Sequence, residues 1–298
     1  MNRFNPTISL SLLAIFSLTL VFTSCKKDKV SAVEDALAAI ETVEDDNVAE
    51  YNFDSNIDQS FEMAEEKDPN SFATAAPAPV SPRLAGIYTQ IAPQCVIIEI
   101  NRRDTFPKIV SINFGSGCRG RDGRFRSGKI TIEYSGIMSK SGSVAKTEFE
   151  NFYVDSVKVE GVHFLTNISQ SGKPKFKREI IDGKLTWPNG QWIQRSAVRV
   201  VEMLDGMPTL TRGDDVFSIT GNANGENSRG KNWTSTITSP LQLRGECRWI
   251  TQKRFEITKG VVSFQHNSST GSLDYGNGDC DQKAILTIND RSKEITLR

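Results

Sequence analysis

Histidine is scarce in this chain of 298 residues, which holds only His163 and His266. The two have no ligand spacing and no Cys-x-x-Cys pair accompanies them, so a zinc site is only a weak alternative for the cysteines. It also lacks a Gly-x-Ser-x-Gly elbow, a His-Glu-x-x-His motif and a phosphate-binding P-loop. The sequence therefore lacks the motifs of the commonest classes of enzyme, and it predicts a protein without a metal or a cofactor.

Long apolar runs are also rare, and the run at the N-terminus is short for a membrane span. It extends over residues 10–22, whereas a transmembrane helix needs about 20 apolar residues. Because small residues and a cysteine follow, as Thr23-Ser24-Cys25, we interpret residues 1–24 as a signal peptide.

The Thr23-Ser24-Cys25 segment resembles the lipobox of bacterial lipoproteins, in which the signal peptide is cleaved just before a lipid-modified cysteine. The resemblance implies that Cys25 carries diacylglycerol and a further acyl chain such as palmitate, enough for stable anchoring to the outer membrane. The next residues, Lys26-Lys27-Asp28-Lys29, lack the acidic pair of the surface-export signal they partly resemble. The choice between the periplasmic face and the cell surface therefore stays open.

Charge is unevenly divided, although the whole chain is formally neutral. Residues 30–82 hold thirteen acids and one base, whereas residues 83–298 hold 31 bases and 22 acids. The division predicts an acidic, solvated tether over residues 25–82 in front of a mildly basic domain. A basic face can attract anionic partners, but an excess of this size is also ordinary for a domain of this length.

Two short amphipathic helices are predicted within the tether. Apolar residues recur at helical spacing in two stripes, formed by Val33, Leu37 and Ile40 and by Phe53, Ile57, Phe61 and Ala64. Isolated helices of this length are barely stable in water, which favours docking on the chain's own domain over binding of a partner. A Pro/Ala/Ser segment ending at Pro82 completes the tether as an extended linker.

Residues 83–298 are predicted to form a single all-β domain. Apolar and polar residues alternate here, as in residues 129–134 and 283–288. Turn signals such as Asn189-Gly190 recur at short intervals, with no helical pattern between them. The pattern indicates an antiparallel meander that forms a sandwich or a long curved sheet.

Four cysteines remain once Cys25 is assigned to lipid, and an oxidising compartment predicts two disulfides among them. Three connectivities are open to four cysteines. A short internal repeat, which we call the cysteine echo, favours one of them. An aromatic-Gly-x-Gly segment precedes both Cys118 and Cys280, and one further cysteine lies upstream of each segment. We therefore expect Cys95 to pair with Cys118 and Cys247 to pair with Cys280.

Five cations crowd the segment after the first echo, namely Arg119, Arg121, Arg124, Arg126 and Lys129. They form a candidate anion-binding cluster, and the alternative is a solvated hairpin loop beside a disulfide.

Aromatic residues offer a second candidate site, because flat rings stack on sugars. Scattered singly on predicted strands, they are better interpreted as core residues. The set comprises Trp187, Trp192, Trp233, Trp249, Tyr134 and Tyr153.

The tripeptide Asp155-Ser156-Val157 resembles the O-glycosylation motif of Bacteroidetes proteins. The resemblance makes Ser156 a candidate glycosylation site on an exposed turn.

Residues 110–298 as a whole resemble a family of uncharacterised Bacteroidetes lipoproteins. The resemblance is carried by Ile112-Asn-Phe-Gly-Ser-Gly-Cys118, by Arg126-Ser-Gly-Lys-Ile130 and by Asp274-Tyr-Gly-Asn-Gly-Asp-Cys280. It implies a cell-envelope location and no particular activity.

The function predicted from the sequence is a non-catalytic binding or structural module of the envelope. Its expected partners are the membrane, through the lipid, and a glycan or another envelope protein, with no nucleic acid. The alternative is a glycosidase that depends on two carboxylates, because such enzymes are recognised by the separation of those groups in space. Asp214-Asp215 and Asp279 with Asp281 are the candidates.

Overall fold

The computed structural model describes residues 26–67, 94–101, 105–120, 123–170, 173–206, 212–247 and 256–296. The predicted signal peptide, Cys25 and the Pro/Ala/Ser linker lie outside these residues. So do Arg121 and Trp249.

The described residues form one antiparallel sheet of thirteen strands, in which each strand pairs with the next along the chain. The two edge strands, β1 and β13, each have a single neighbour. This order confirms the predicted all-β antiparallel meander. The strands are β1 (Ile97–Ile100), β2 (Lys108–Arg119), β3 (Phe125–Tyr134), β4 (Val144–Val154), β5 (Val157–Asn167), β6 (Lys175–Thr186), β7 (Trp192–Asp205), β8 (Val216–Asn227), β9 (Asn232–Arg244), β10 (Glu256–His266), β11 (Ser269–Asn277), β12 (Lys283–Ile288) and β13 (Arg291–Thr296).

The two faces of the sheet differ because successive side chains of a strand point to opposite sides. In β7, Ile193, Arg195 and Ala197 are buried, whereas Gln194 and Ser196 are partly exposed. We call the buried side the inner face and the opposite side the outer face. The hydrophobic core lies on the inner face, under a helix.

That helix, α1, extends from Lys26 to Lys67 and crosses the strands of the sheet. Near its start Ala39 packs with residues of β10 and β12, and near its end the Phe61 ring lies 6.2 Å from the Tyr134 ring of β3. The 22 residues between these contacts correspond to about 33 Å of α-helix. One helix therefore contacts both halves of the sheet.

The prediction of two separate short helices is wrong, whereas docking of the second stripe on the chain's own domain agrees with the interpretation favoured from the sequence. The helix is continuous, and its second stripe, from Phe53 to Ala64, is buried against the sheet. In the structure Asp46 and Glu50 contact arginines of the sheet instead of solvent alone.

Both predicted disulfide pairs lie at bonding distance. Cys95 and Cys118 join the start of β1 to the end of β2, with Cα atoms 5.8 Å apart, as expected for the open end of a hairpin. Cys247 and Cys280 follow β9 and β11, with Cα atoms 5.2 Å apart. Because β10 lies between these two strands, the second bridge spans three strands.

Candidate functional site

The predicted basic cluster is divided between the two faces of the sheet. Arg126 is buried, and its Nε donates to Asn56 Oδ1 of α1 at 3.3 Å. Lys129 lies 2.5 Å from Glu150 on the outer face. Arg124 donates to Asp155 at 2.9 Å. Together with Arg119, which donates to the Gly123 carbonyl, the four described cations contact groups of their own chain, and they do not converge on one point.

Ser156 lies in the two-residue turn between β4 and β5 and is exposed. It and Asp155 both have positive φ, 71° and 49°, as in the type I′ turns of tight hairpins. The Phe125 backbone N–H donates to Asp155 Oδ1 at 2.8 Å and holds the turn in place. The position is accessible, and glycosylation of Ser156 stays a prediction.

The described tryptophans do not form one sugar platform. Trp233 is buried on the inner face, as is Tyr134. Trp187 is partly buried and packs against the main core. Trp192 is partly buried near the end of the outer face, with Lys184 Nζ 4.7 Å from its ring centre. The core interpretation is therefore confirmed for Trp233 and Tyr134.

An ionic network joins α1 to the middle of the sheet. Arg195 of β7 is only 1% exposed, and it donates from Nε to Asp46 Oδ1 at 2.6 Å and from Nη2 to Glu50 Oε2 at 2.8 Å. Arg199 of β7 also donates to Glu50, at 3.2 Å. Ser235 of β9 donates to the second oxygen of Asp46 at 2.8 Å. The acidic helix and the basic sheet thus neutralise each other inside the protein.

The titration of Glu50 reflects this neutralisation. Burial alone would raise its pKa, but the guanidinium groups of Arg195 and Arg199 lower the pKa of Glu50 to about 2. Further along α1, Arg178 of β6 lies 3.1 Å from Asp54. There burial dominates, and it raises the pKa of Asp54. Part of the excess of acids in the tether and of bases in the domain therefore forms a docking interface between α1 and the sheet.

His163 lies beneath the far end of α1 on the inner face of β5. It is fully buried beside Phe61, with ring centres 6.4 Å apart, and neither ring nitrogen has a hydrogen-bond partner. Burial, together with the nearby Arg178, lowers the pKa of His163 well below its usual range. The imidazole is a neutral core side chain and not a catalytic one.

The stability of the protein should therefore fall as pH drops below about 6.5, the unfolded-state pKa of histidine. The folded state binds the His163 proton more weakly than the unfolded state, so this contribution is complete above about pH 6.5 and is lost below it, by about 1.4 kcal/mol per pH unit. Urea unfolding at pH 7.0 and 5.5 measures the loss. Between these two pH values, the free energy of unfolding of His163→Phe should fall by about 1.4 kcal/mol less than that of wild type. Thr147→Val, at the opposite position of β4, should behave as wild type, and an unchanged loss in His163→Phe would contradict the assignment.

The outer face of the sheet is most densely charged between β3 and β7. From β3 to β7 it carries Lys–Glu pairs, namely Lys129–Glu150, Lys146–Glu148, Lys158–Glu160, Lys177–Glu179 and Lys175–Glu202. From β7 to β13 hydroxyl and amide side chains alternate with some charged and apolar ones, such as the Lys283–Glu294 pair and Ile285. One row in register comprises Asn222, Thr236, Ser263, Ser272, Thr287 and Ser292.

A groove of about 500 Å³ lies at the edge of the densely charged region, between β6 and β10. Its floor is a row of four residues in register on β7 to β10, formed by Ser196, Asn224, Thr234 and Gln265. A second row comprises Gln194, Glu226 and Asn232. Both rows belong to the outer face, so the groove opens there, and the buried Trp233 also contributes to its lining.

Irregular strand pairing surrounds the groove. The register shifts between Ile180 and Gly183 in β6 and between Ile219 and Asn222 in β8, and β-bulges of this kind bend the strands that carry them. Asp182 sits at the first irregularity, lines the groove, and donates its backbone N–H to Ser196 Oγ at 3.1 Å. Arg195 also contributes to the wall, but its guanidinium faces Asp46 on the inner face.

The carboxylate pairs proposed from the sequence do not line the groove. Asp215 is buried, and its backbone carbonyl accepts from the Gly245 N–H. Asp281 accepts from the Lys283 N–H at 2.9 Å. The two acids of the groove, Asp182 and Glu226, were missed because they are 44 residues apart and no local motif marks them.

No protein-family description, curated protein or solved structure matches the chain. Within the described ranges, no helix is both long enough and apolar enough to cross a bilayer. No group of three metal-ligating His, Cys, Asp or Glu side chains occurs in the same part of the chain. The resemblance to envelope lipoproteins stays a prediction.

Proposed function

We propose that this protein is a lipid-anchored, non-catalytic binding module of the cell envelope, and that its binding site is the outer-face groove. The groove is the observation that carries the proposal. Its volume of about 500 Å³ falls within the range of ligand sites, about 300–1,000 Å³. It is built on paired strands, which hold side chains more rigidly than loops do.

Binding is favoured over hydrolysis because of the surroundings of the groove acids. A glycosidase acid must be kept protonated, usually by an apolar environment. Asp182 and Glu226 are both exposed among polar neighbours. The groove therefore offers hydrogen-bonding groups without a dry site for a general acid.

Anchoring is supported by the lipobox and by the position of α1. The helix includes Lys26, the residue after Cys25, and further along it Ala39 and Phe53 pack on the sheet. A lipid on Cys25 would therefore keep the domain close to the outer membrane.

Two properties of the full chain test this proposal. Wild type should incorporate labelled palmitate and sediment with membranes, whereas Cys25→Ala should do neither. The soluble Cys25→Ala protein should bind purified cell envelopes, and adding Ser196→Trp, which fills the groove, should reduce this binding at least tenfold. Adding Thr131→Trp, on the outer face of β3, is the matched control and should leave binding unchanged.

Soluble wild-type protein would refute the anchor. Equal binding by the groove variant and the control would refute the binding site. Proteolysis of intact cells then assigns the membrane face, because a surface protein is cleaved and a periplasmic protein is protected.

A further inference from the structure

We infer that the outer-face groove binds a neutral saccharide chain. This inference rests on the proposed function and names the ligand class of the same site. The groove joins an uncharged hydrogen-bonding floor to a polar face that continues beyond it.

Charge excludes most other ligands. The adjoining outer face from β3 to β7 is dense in Lys–Glu pairs, yet the four-residue floor of the groove carries no charge. Arg195, the one cation of the lining, is committed to Asp46 and Glu50 on the opposite face. An anionic ligand would therefore meet Asp182 and Glu226 without a compensating cation, and like charges repel.

Polarity excludes an apolar ligand. The outer-face side chains that line the groove from β7 to β10 are amides, hydroxyls and one carboxylate, and the one aromatic residue of the described lining, Trp233, is itself buried on the inner face. Ligand pockets for drug-like or lipid molecules are lined mainly by apolar and aromatic groups. A lipid chain in this groove would cover hydroxyls and amides without satisfying them, which is costly.

Hydrogen-bond chemistry fits sugar hydroxyls, which both donate and accept. Asn and Gln side chains each offer two donors and an acceptor, and Ser and Thr hydroxyls do both. Asn224, Thr234 and Gln265 present these groups on neighbouring strands, about 4.8 Å apart. The carboxylates of Asp182 and Glu226 add acceptors for hydroxyl donors. A neutral sugar can satisfy such a floor without bringing a charge.

The polar row outside the groove favours a chain over a single sugar. Thr236, Ser263 and Ser272 continue the hydroxyl surface across β9, β10 and β11. Thr238 and Ser263 hydroxyl oxygens lie 3.3 Å apart and order this surface. A polysaccharide can lie along it, whereas a monosaccharide would occupy the groove alone.

The test uses the full chain carrying Cys25→Ala and cell envelopes treated in two ways. Periodate cleaves the vicinal diols of sugars and should abolish binding, whereas protease treatment should leave it. Among soluble probes, dextran and mannan should compete, and polygalacturonate should not. Binding should change less than twofold between about 50 and 500 mM salt, because no ion pair is involved.

Adding Asn224→Ala or Thr234→Ala should each weaken binding about fivefold, the effect of one hydrogen bond of about 1 kcal/mol. Thr131→Ala is the matched control. Binding that still depends on the groove after the envelopes are treated with periodate would overturn the saccharide inference. Loss of binding after protease treatment would also overturn it. Neither result would contradict the proposal that the protein is a binding module. Binding to polygalacturonate that salt abolishes would also overturn the saccharide inference. Reducing ends released by wild type and not by Glu226→Gln would overturn the non-catalytic function while the saccharide stands.

Discussion

Replacing Arg195 by methionine is expected to lower the free energy of unfolding by about 3–5 kcal/mol. The substitution keeps much of the volume of the side chain but removes the guanidinium that binds Asp46 and Glu50. Asp46 is then left in a buried position with Ser235 as its remaining partner, and an uncompensated buried charge is costly. Urea unfolding at pH 7, followed by circular dichroism, measures the loss.

A matched control is Lys146→Met, which removes a cation from an exposed pair with Glu148. It should cost less than about 1 kcal/mol, as exposed pairs do. The difference between Arg195→Met and wild type should shrink between about pH 4.5 and pH 2. Glu50 has a folded-state pKa of about 2, so its stabilising contribution is complete above the unfolded value and is lost as pH falls toward 2. Equal losses in Arg195→Met and Lys146→Met would contradict the buried network.

Phe53→Ala is expected to destabilise the protein by a similar amount, about 3–5 kcal/mol. Phe53 is buried where α1 crosses β6. Its ring packs over Gly183, where a Cβ would lie 2.7 Å from Phe53 Cζ and 2.6 Å from Ile180 Cγ2. Truncation leaves a cavity under the helix. Tyr51→Ala, on the exposed side of α1, should change stability by less than about 0.5 kcal/mol.

The contact between Phe53 and Gly183 can also be tested by changing Gly183. Gly183→Ala introduces a methyl group into the space of the Phe53 ring and should cost about 1–3 kcal/mol. The double variant should lose less than the sum of the two single losses, by at least about 0.5 kcal/mol, because truncation of Phe53 makes room for the methyl group. Strict additivity in urea unfolding would show that the two residues do not meet.

The strands could be predicted from the sequence because their signals are local. Alternation in residues 129–134 and 283–288 and turn signals such as Asn189-Gly190 mark strands and hairpins without knowledge of the rest of the chain. The cysteine echo was similarly informative, because each pair closes a short stretch of sequence.

The helix was only half predicted. Phe53, Ile57 and Phe61 gave a recognisable stripe, but Asp46 and Glu50 appeared solvent-facing because their partners are about 145–149 residues away. No periodicity in residues 26–67 indicates where those arginines lie. A polar docking face can be recognised only when both surfaces are known.

The groove could not be predicted for a related reason. Ser196, Asn224, Thr234 and Gln265 are ordinary outer-face residues in their own strands. They become a site only through the register of four strands and the nearby bulges. The basic cluster shows the converse error, because residues that are close in sequence need not form a site. Arg126 and Lys129 are three residues apart, yet they lie on different faces of the sheet.

The crossing helix also bears on how the molecule loses its structure. A meander is a linear array, because each strand pairs only with its neighbours, and such arrays fray and melt segment by segment. The contacts of α1 are different, because Asp46 reaches Arg195 and Ser235 across 149 and 189 residues of sequence. They connect strands that would otherwise open independently. With α1 in place, the middle and the ends of the array are expected to melt in a single cooperative transition.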